Sequence, residues 1–157
     1  MKFDTANRPN VVPWPPIIAA AAILAAFLLG RLVPVAFARD PAIRLAGAGI
    51  LVASLVLDLW AMATLRRAKT NILPNRAADQ LVTSGPFRLT RNPIYLGNTV
   101  AMLGLSLWFD NIWFLLLGLL AAIAVDRLAI RREEAHLAAR FADAWLAYSA
   151  RTPRWLF

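Results

Sequence analysis

Residues 94–130 read IYLGNTVAMLGLSLWF-DN-IWFLLLGLLAAIAVDRLAI, two apolar runs parted only by Asp110 and Asn111. Ile94–Phe109 and Ile112–Ile130 each come close to the roughly 20 residues that a helix needs to cross a bilayer. Two intervening residues leave no room for a crossover, so the runs form a tight antiparallel hairpin. Gly97, Ala101 and Gly104 fall at i, i+4 and i+7 on the first helix, and Gly118, Ala122, Val125 and Ala129 make a comparable stripe on the second. Small residues let membrane helices approach closely where lipid supplies no hydrophobic drive between them. Trp108, Phe109, Trp113 and Phe114 cluster at the turn, as an interfacial aromatic belt does.

Upstream lie two more apolar runs. Ile17 to about Ala38 is interrupted by Gly30, Arg31 and Pro34, with a bend expected near Pro34; Ile43–Leu65 carries one charge, Asp58. The reading is an all-α integral membrane protein with about four transmembrane helices, followed by a C-terminal cytoplasmic amphipathic helix. It forms a single membrane domain over 1–157. Residues 1–65 supply an N-terminal lead-in segment and two variable helices, and 66–157 a polar loop, the hairpin and the tail. In the tail Leu137, Phe141, Trp145 and Tyr148 stand near helical spacing. The loop from Arg66 to Pro93 holds six basic residues against one acid, Asp79, whereas the hairpin turn holds none. The positive-inside rule therefore puts the loop and both termini in the cytoplasm, Arg39 and Arg44 in the first turn standing against it.

Composition agrees. Of 157 residues 60% are apolar and 17% charged, and mean hydropathy is +0.58, against about half and a quarter in an ordinary soluble domain. A separate soluble catalytic domain does not fit, so chemistry must be built from helix ends and loops. There are 0 Cys and 1 His, which excludes thiolate chemistry, disulfides and a multi-histidine metal centre. The net charge of +8 is dispersed between apolar segments, which points to lipid headgroups and topology rather than nucleic acid.

Two stretches carry chemistry. In Thr83-Ser84-Gly85-Pro86-Phe87-Arg88-Leu89-Thr90-Arg91-Asn92-Pro93-Ile94-Tyr95-Leu96-Gly97, Pro93 opens the third helix. Arg88 and Arg91 flank a helix N-terminus suited to a carboxylate or phosphate, and Gly97 would admit a flat group to the backbone. A basic loop that only caps a helix and sets topology accounts for the same residues. In Asp126-Arg127-Leu128-Ala129-Ile130-Arg131-Arg132-Glu133-Glu134-Ala135-His136-Leu137 the fourth helix leaves the membrane. The hairpin returns Glu133 and Glu134 to the side of Arg91, Asn92 and Tyr95, although plain solvated pairing is the alternative. Acids and arginines together suit a zwitterion. Asp58, within the second helix, faces the route of a substrate, pairs with Arg66 or Arg67, or simply hydrogen-bonds in the bundle. His136 reads as a polar surface residue of the tail, and Tyr148 and Trp155 as rings that stack on a flat group or anchor at the interface.

Gly85-Pro-Phe-Arg, Arg91-Asn-Pro-Ile-Tyr-Leu-Gly97, a hairpin, Arg131-Arg-Glu-Glu134 and Tyr148…Arg151-Thr-Pro-Arg-Trp-Leu156 together resemble the isoprenylcysteine carboxyl methyltransferase and phospholipid methyltransferase group. The resemblance runs from about Arg66 to Phe157. It implies an integral-membrane methyltransferase using S-adenosylmethionine, with S-adenosylhomocysteine as product. It further implies that Arg91, Asn92, Pro93, Tyr95 and Gly97 line the cofactor pocket and that Glu133 and Glu134 engage the methionine amino end or the substrate. Arg131 then lies near the reacting groups, and the segment holding Tyr148 and Trp155 covers the adenosine. Asn92 stands where many relatives have His, so no imidazole base acts there. The methyl acceptor is a lipophilic or small thiol, carboxylate or amine, which the sequence does not distinguish. An NADPH-dependent membrane reductase related to sterol reductases and a non-enzymatic membrane subunit are the alternatives. Self-association through the small-residue faces stays open.

Overall fold

The computed structural model describes residues 14–37, 39–71 and 78–156. The N-terminal lead-in up to Pro13 and Arg76 of the middle loop lie outside them. Among the described residues the fold is helical throughout: α1 (Trp14–Leu32), α2 (Pro41–Arg67), α3 (Pro93–Trp108), α4 (Ile112–Val125) and α5 (Arg131–Ser149). A 3-10 turn at Gly85–Arg88 precedes α3, and a π turn at Asp126–Ile130 joins α4 to α5 without a break. Three helices are long and apolar enough to cross a membrane: Trp14–Leu32, Pro41–Arg67 and the continuous Ile112–Ser149. Of the last, the apolar stretch is 112–130. α3 has 16 residues, about 24 Å at 1.5 Å per residue, short of the roughly 30 Å hydrocarbon core.

Boundaries follow local chemistry. α1 stops at Leu32 rather than near Ala38, because Pro34 lacks an N–H and disfavours helical backbone at the residue before it. α2 starts at Pro41, whose ring suits a first helical position, and the Asp40 carboxylate accepts from the Ala42 N–H at 2.8 Å. The Asn111 side chain caps α4 by accepting from Trp113 N–H at 3.0 Å.

α2 packs along α3, α3 along α4 and α4 along α1. The small residues act here. A Cβ on Gly47 of α2 would lie 2.7 Å from the Trp108 backbone nitrogen and 2.9 Å from the Gly104 carbonyl oxygen, so the two backbones nearly touch. Gly118 of α4 gives its space to the Met102 side chain of α3, whose Cβ lies 2.6 Å from where a Cβ on Gly118 would stand. The turn between α3 and α4 is stitched to the end of α1. Asn111 Nδ2 donates to Ala26 O at 3.0 Å, Trp113 Nε1 to Val33 O at 2.8 Å, and Phe37 N–H to Asp110 Oδ1 at 2.6 Å. Phe27, Phe109 and Phe114 form a ring cluster there, with Phe114 wholly buried. Phe114 is thus core rather than belt, because α1 covers it.

Candidate functional site

The site starts with the chain leaving the 3-10 turn. Gly85 sits at φ 60, a left-handed conformation suited to glycine, and the turn delivers Thr90, Arg91 and Asn92 to the mouth of α3. Residues 153–154 fasten to that segment. Arg91 N–H donates to Pro153 O at 2.9 Å, while Thr90 Oγ1 and Asn92 Nδ2 donate to Arg154 O at 2.8 and 3.1 Å. Asn92 is buried by this work.

From the other side come the π turn and α5. Tyr95, one turn into the α3 N-terminus, donates its hydroxyl to Glu133 Oε1 at 2.6 Å. Glu134 accepts from Arg154 through Nε at 3.1 Å and Nη2 at 2.5 Å, and its Oε1 lies 3.5 Å from Arg91 Nε. Arg154 also reaches Asp126 Oδ1 at 3.4 Å, and Asp126 accepts from Arg131 Nε at 3.0 Å. The Arg91 guanidinium lies 5.6 Å from the centre of the Trp145 ring, within cation–π reach. Tyr148 donates to Phe87 O at 2.7 Å and meets Trp145 edge-on.

These groups enclose a cavity of about 550 Å³, within the range of ligand pockets. Its polar wall includes Arg91, Asn92, Tyr95, Glu133, Glu134 and His136. Trp145 and Tyr148 add aromatic surface, Pro93 closes the α3 end, and the opposite wall is apolar, from Ala19 and Ile23 of α1 and Met62 and Leu65 of α2. Burial pushes the Glu133 carboxyl up to about 7, with the Glu134 charge adding to it and the Tyr95 hydrogen bond opposing. Burial likewise pushes Tyr148 up to about 12, against the pull of Arg91.

Six of the expected residues, Arg91, Asn92, Pro93, Tyr95, Glu133 and Glu134, thus meet on one cavity, with Tyr148 beside them. Five depart from expectation. Gly97 is buried against Asp58 of α2, whose carboxylate fills the space of a Cβ, so no flat group reaches its backbone. Arg131 is half-exposed and turned to Asp126, outside the cavity wall. Trp155 packs on Val125, Ala129 and Ile130 and borders a small adjoining void with Tyr95 and Asn98, not the large cavity. His136, expected at the surface, is 1% exposed in the cavity wall. His136 follows Glu133 by three residues and so shares its cavity-facing side of α5, whereas Trp145 and Tyr148 lie beyond a break in the helix at Ala142 (φ 40, ψ −114). Asp58 lies on neither cavity, and among the described residues its buried Oδ1 accepts no hydrogen bond, from Arg66 and Arg67 included. Arg154 was missed as a site residue, although it stood within the quoted Arg151–Leu156 ending.

A helical protein of the bilayer with an acid- and arginine-walled cavity at the polar end of its helices is the class this geometry defines. A family model describing phospholipid methyltransferases matches residues 43–144, and the chain belongs to that family. Two curated relatives are similar in part. The nickel-cobalt-cadmium resistance protein NccN of Alcaligenes xylosoxydans xylosoxydans is 33% identical over 93 residues, 59% of this chain and 43% of the relative. The cobalt-zinc-cadmium resistance protein CzcN of Cupriavidus metallidurans is 33% identical over 81 residues, 52% of this chain and 37% of the relative. The matched part spans less than half the length of these curated relatives.

Proposed function

We propose that the protein is an S-adenosylmethionine-dependent methyltransferase working at the cytoplasmic face of a membrane on a lipophilic or small thiol, carboxylate or amine. The observation that carries this is the convergence of Arg91, Tyr95, Glu133 and Glu134 on one cavity with an apolar far wall. A zwitterionic amino-acid end requires a cation and an acid a few ångströms apart, and Arg91 and the twin acids supply them. Trp145 and Tyr148 offer faces for a flat base. The bound cofactor would supply an electrophilic methyl carbon.

The work left to the protein is alignment and exclusion of water, more than strong acid or base catalysis. The apolar wall from α1 and α2 suits an apolar acceptor, and the polar wall from the loop and α5 suits a soluble cofactor. The Arg-rich loop supports a cytoplasmic placement of this end of the bundle, with α3 as a short fourth crossing.

Calorimetry of the detergent-purified protein with S-adenosylmethionine and, separately, NADPH tests the reading. Saturable binding of the first alone is expected. Binding of NADPH alone would replace the methyltransferase with a reductase, and binding of neither would leave a membrane subunit.

A further inference from the structure

The twin acids are neighbours in sequence but not in circumstance. Successive helical residues point about 100° apart, so Glu133 and Glu134 meet different partners. Glu134 is already saturated with positive charge: Arg154 grips it through two nitrogens and Arg91 stands 3.5 Å away. An incoming ammonium would have to displace a bidentate guanidinium, the strongest common partner of a carboxylate. It would also undo the clamp, because Arg154 is held by Asp126 on its far side and by Thr90 and Asn92 through its backbone oxygen. Glu133 differs. Its hydrogen bond comes from the neutral Tyr95 hydroxyl, and among the described residues no arginine or lysine pairs with it.

We propose that the acids divide the work: Glu133 receives the ligand's ammonium, and Glu134 is a positioning residue that locks Arg154, and with it residues 153–154, onto the 90–92 loop. This rests on the cofactor reading above. It makes Arg154, which lies beyond the family match, the tie between three distant parts of the chain.

The test measures, by calorimetry on the full chain in detergent, the affinity of S-adenosylhomocysteine against its deaminated analogue. The wild type should favour the amino-bearing ligand by roughly 10- to 100-fold, the range for a charge-assisted hydrogen bond. E133Q should abolish that preference. E134Q and R154Q should weaken both ligands by a common factor and keep the preference, and E134Q/R154Q should be no worse than the poorer single variant. A preference that persists in E133Q, or vanishes in E134Q, overturns the division of work. If E134Q does not fold, E133Q decides alone. A wild type that binds neither ligand refutes the cofactor reading as well, whereas tight binding with the preference erased by E134Q refutes only the assignment of the two acids.

Discussion

The hydroxyl of Tyr95 lies 2.6 Å from Oε1 of Glu133, a hydrogen bond across 38 residues that joins the mouth of α3 to the start of α5. It exists because the hairpin returns α4 to the level at which α3 began, and because the π turn at Asp126–Ile130 carries the helix on without a break. Tyr95→Phe removes the donor and leaves a buried carboxylate short of a partner, a cost of about 1–3 kcal/mol. A lower melting temperature in detergent, together with weaker S-adenosylmethionine binding, is the expected outcome. An unchanged melting temperature would mean that the bond does not hold the site together.

Glu133 also sets a pH dependence. Its folded-state pKa, about 7, is above the ordinary 4.5 because burial disfavours the charge. The empty protein therefore binds this proton more tightly than the unfolded chain does. The contribution to stability is full below about 4.5 and is lost as pH rises through about 7. Ligand affinity runs the other way, since an ammonium needs the ionised acid. Binding measured from pH 5.5 to 8.5 should strengthen up to and just beyond neutrality and then level off. E133Q should flatten that rise, which separates Glu133 from Tyr95, Glu134, His136 and Arg91 around the same cavity. Tighter binding at low pH would contradict the assignment.

Two glycines predict different damage. The three atoms nearest a Cβ on Gly97 all belong to the Asp58 carboxylate, so Gly97→Ala should cost about 1–3 kcal/mol and Asp58→Ala should recover most of it. On Gly47 the Cβ meets backbone atoms of Gly104 and Trp108, which no side-chain truncation can relieve. Thermal unfolding of Gly97→Ala, Gly97→Ala/Asp58→Ala and Gly47→Ala compares them. Rescue in the first pair and none for Gly47→Ala is expected; failure of Asp58→Ala to rescue would show that the carboxylate is not the obstacle.

How far these features could be read in advance depends on the range of the interactions. The helices and the hairpin were legible because apolar run length and the Asp110–Asn111 break are local signals. The meeting of Arg91, Tyr95 and the twin acids followed from that topology. The burial of His136 follows from its place three residues after Glu133 on one helix face, a register that its polar side chain obscures; the break at Ala142 was not legible, since alanine gives no sign of positive φ. Gly97 was misread because a glycine near a helix start looks alike whether a ligand or another helix fills the space. Arg154 was passed over because its partners, Glu134 and Asp126, lie 20 and 28 residues away.

The fastening of the tail makes a separate prediction. Asn92→Ala removes one hydrogen bond to Arg154 O, worth about 1 kcal/mol net, and Thr90→Val removes another together with the bond its Oγ1 accepts from Asn92 N–H, so it should cost more. Because the two share an acceptor, the double variant should cost less than their sum. Hydrogen exchange at the Arg91 amide, which donates to Pro153 O, should quicken in both. Unaltered exchange would mean that this amide is protected by something other than the strap.

Transfer of a labelled methyl group decides the matter most directly. Membranes mixed with purified protein and methyl-labelled S-adenosylmethionine should yield label in a lipid-soluble or small-molecule product, and E133Q should lower the yield at least tenfold while remaining folded. No label above background across extracts that saturate the protein with cofactor, or equal label with E133Q, would contradict a methyltransferase site at Tyr95 and Glu133.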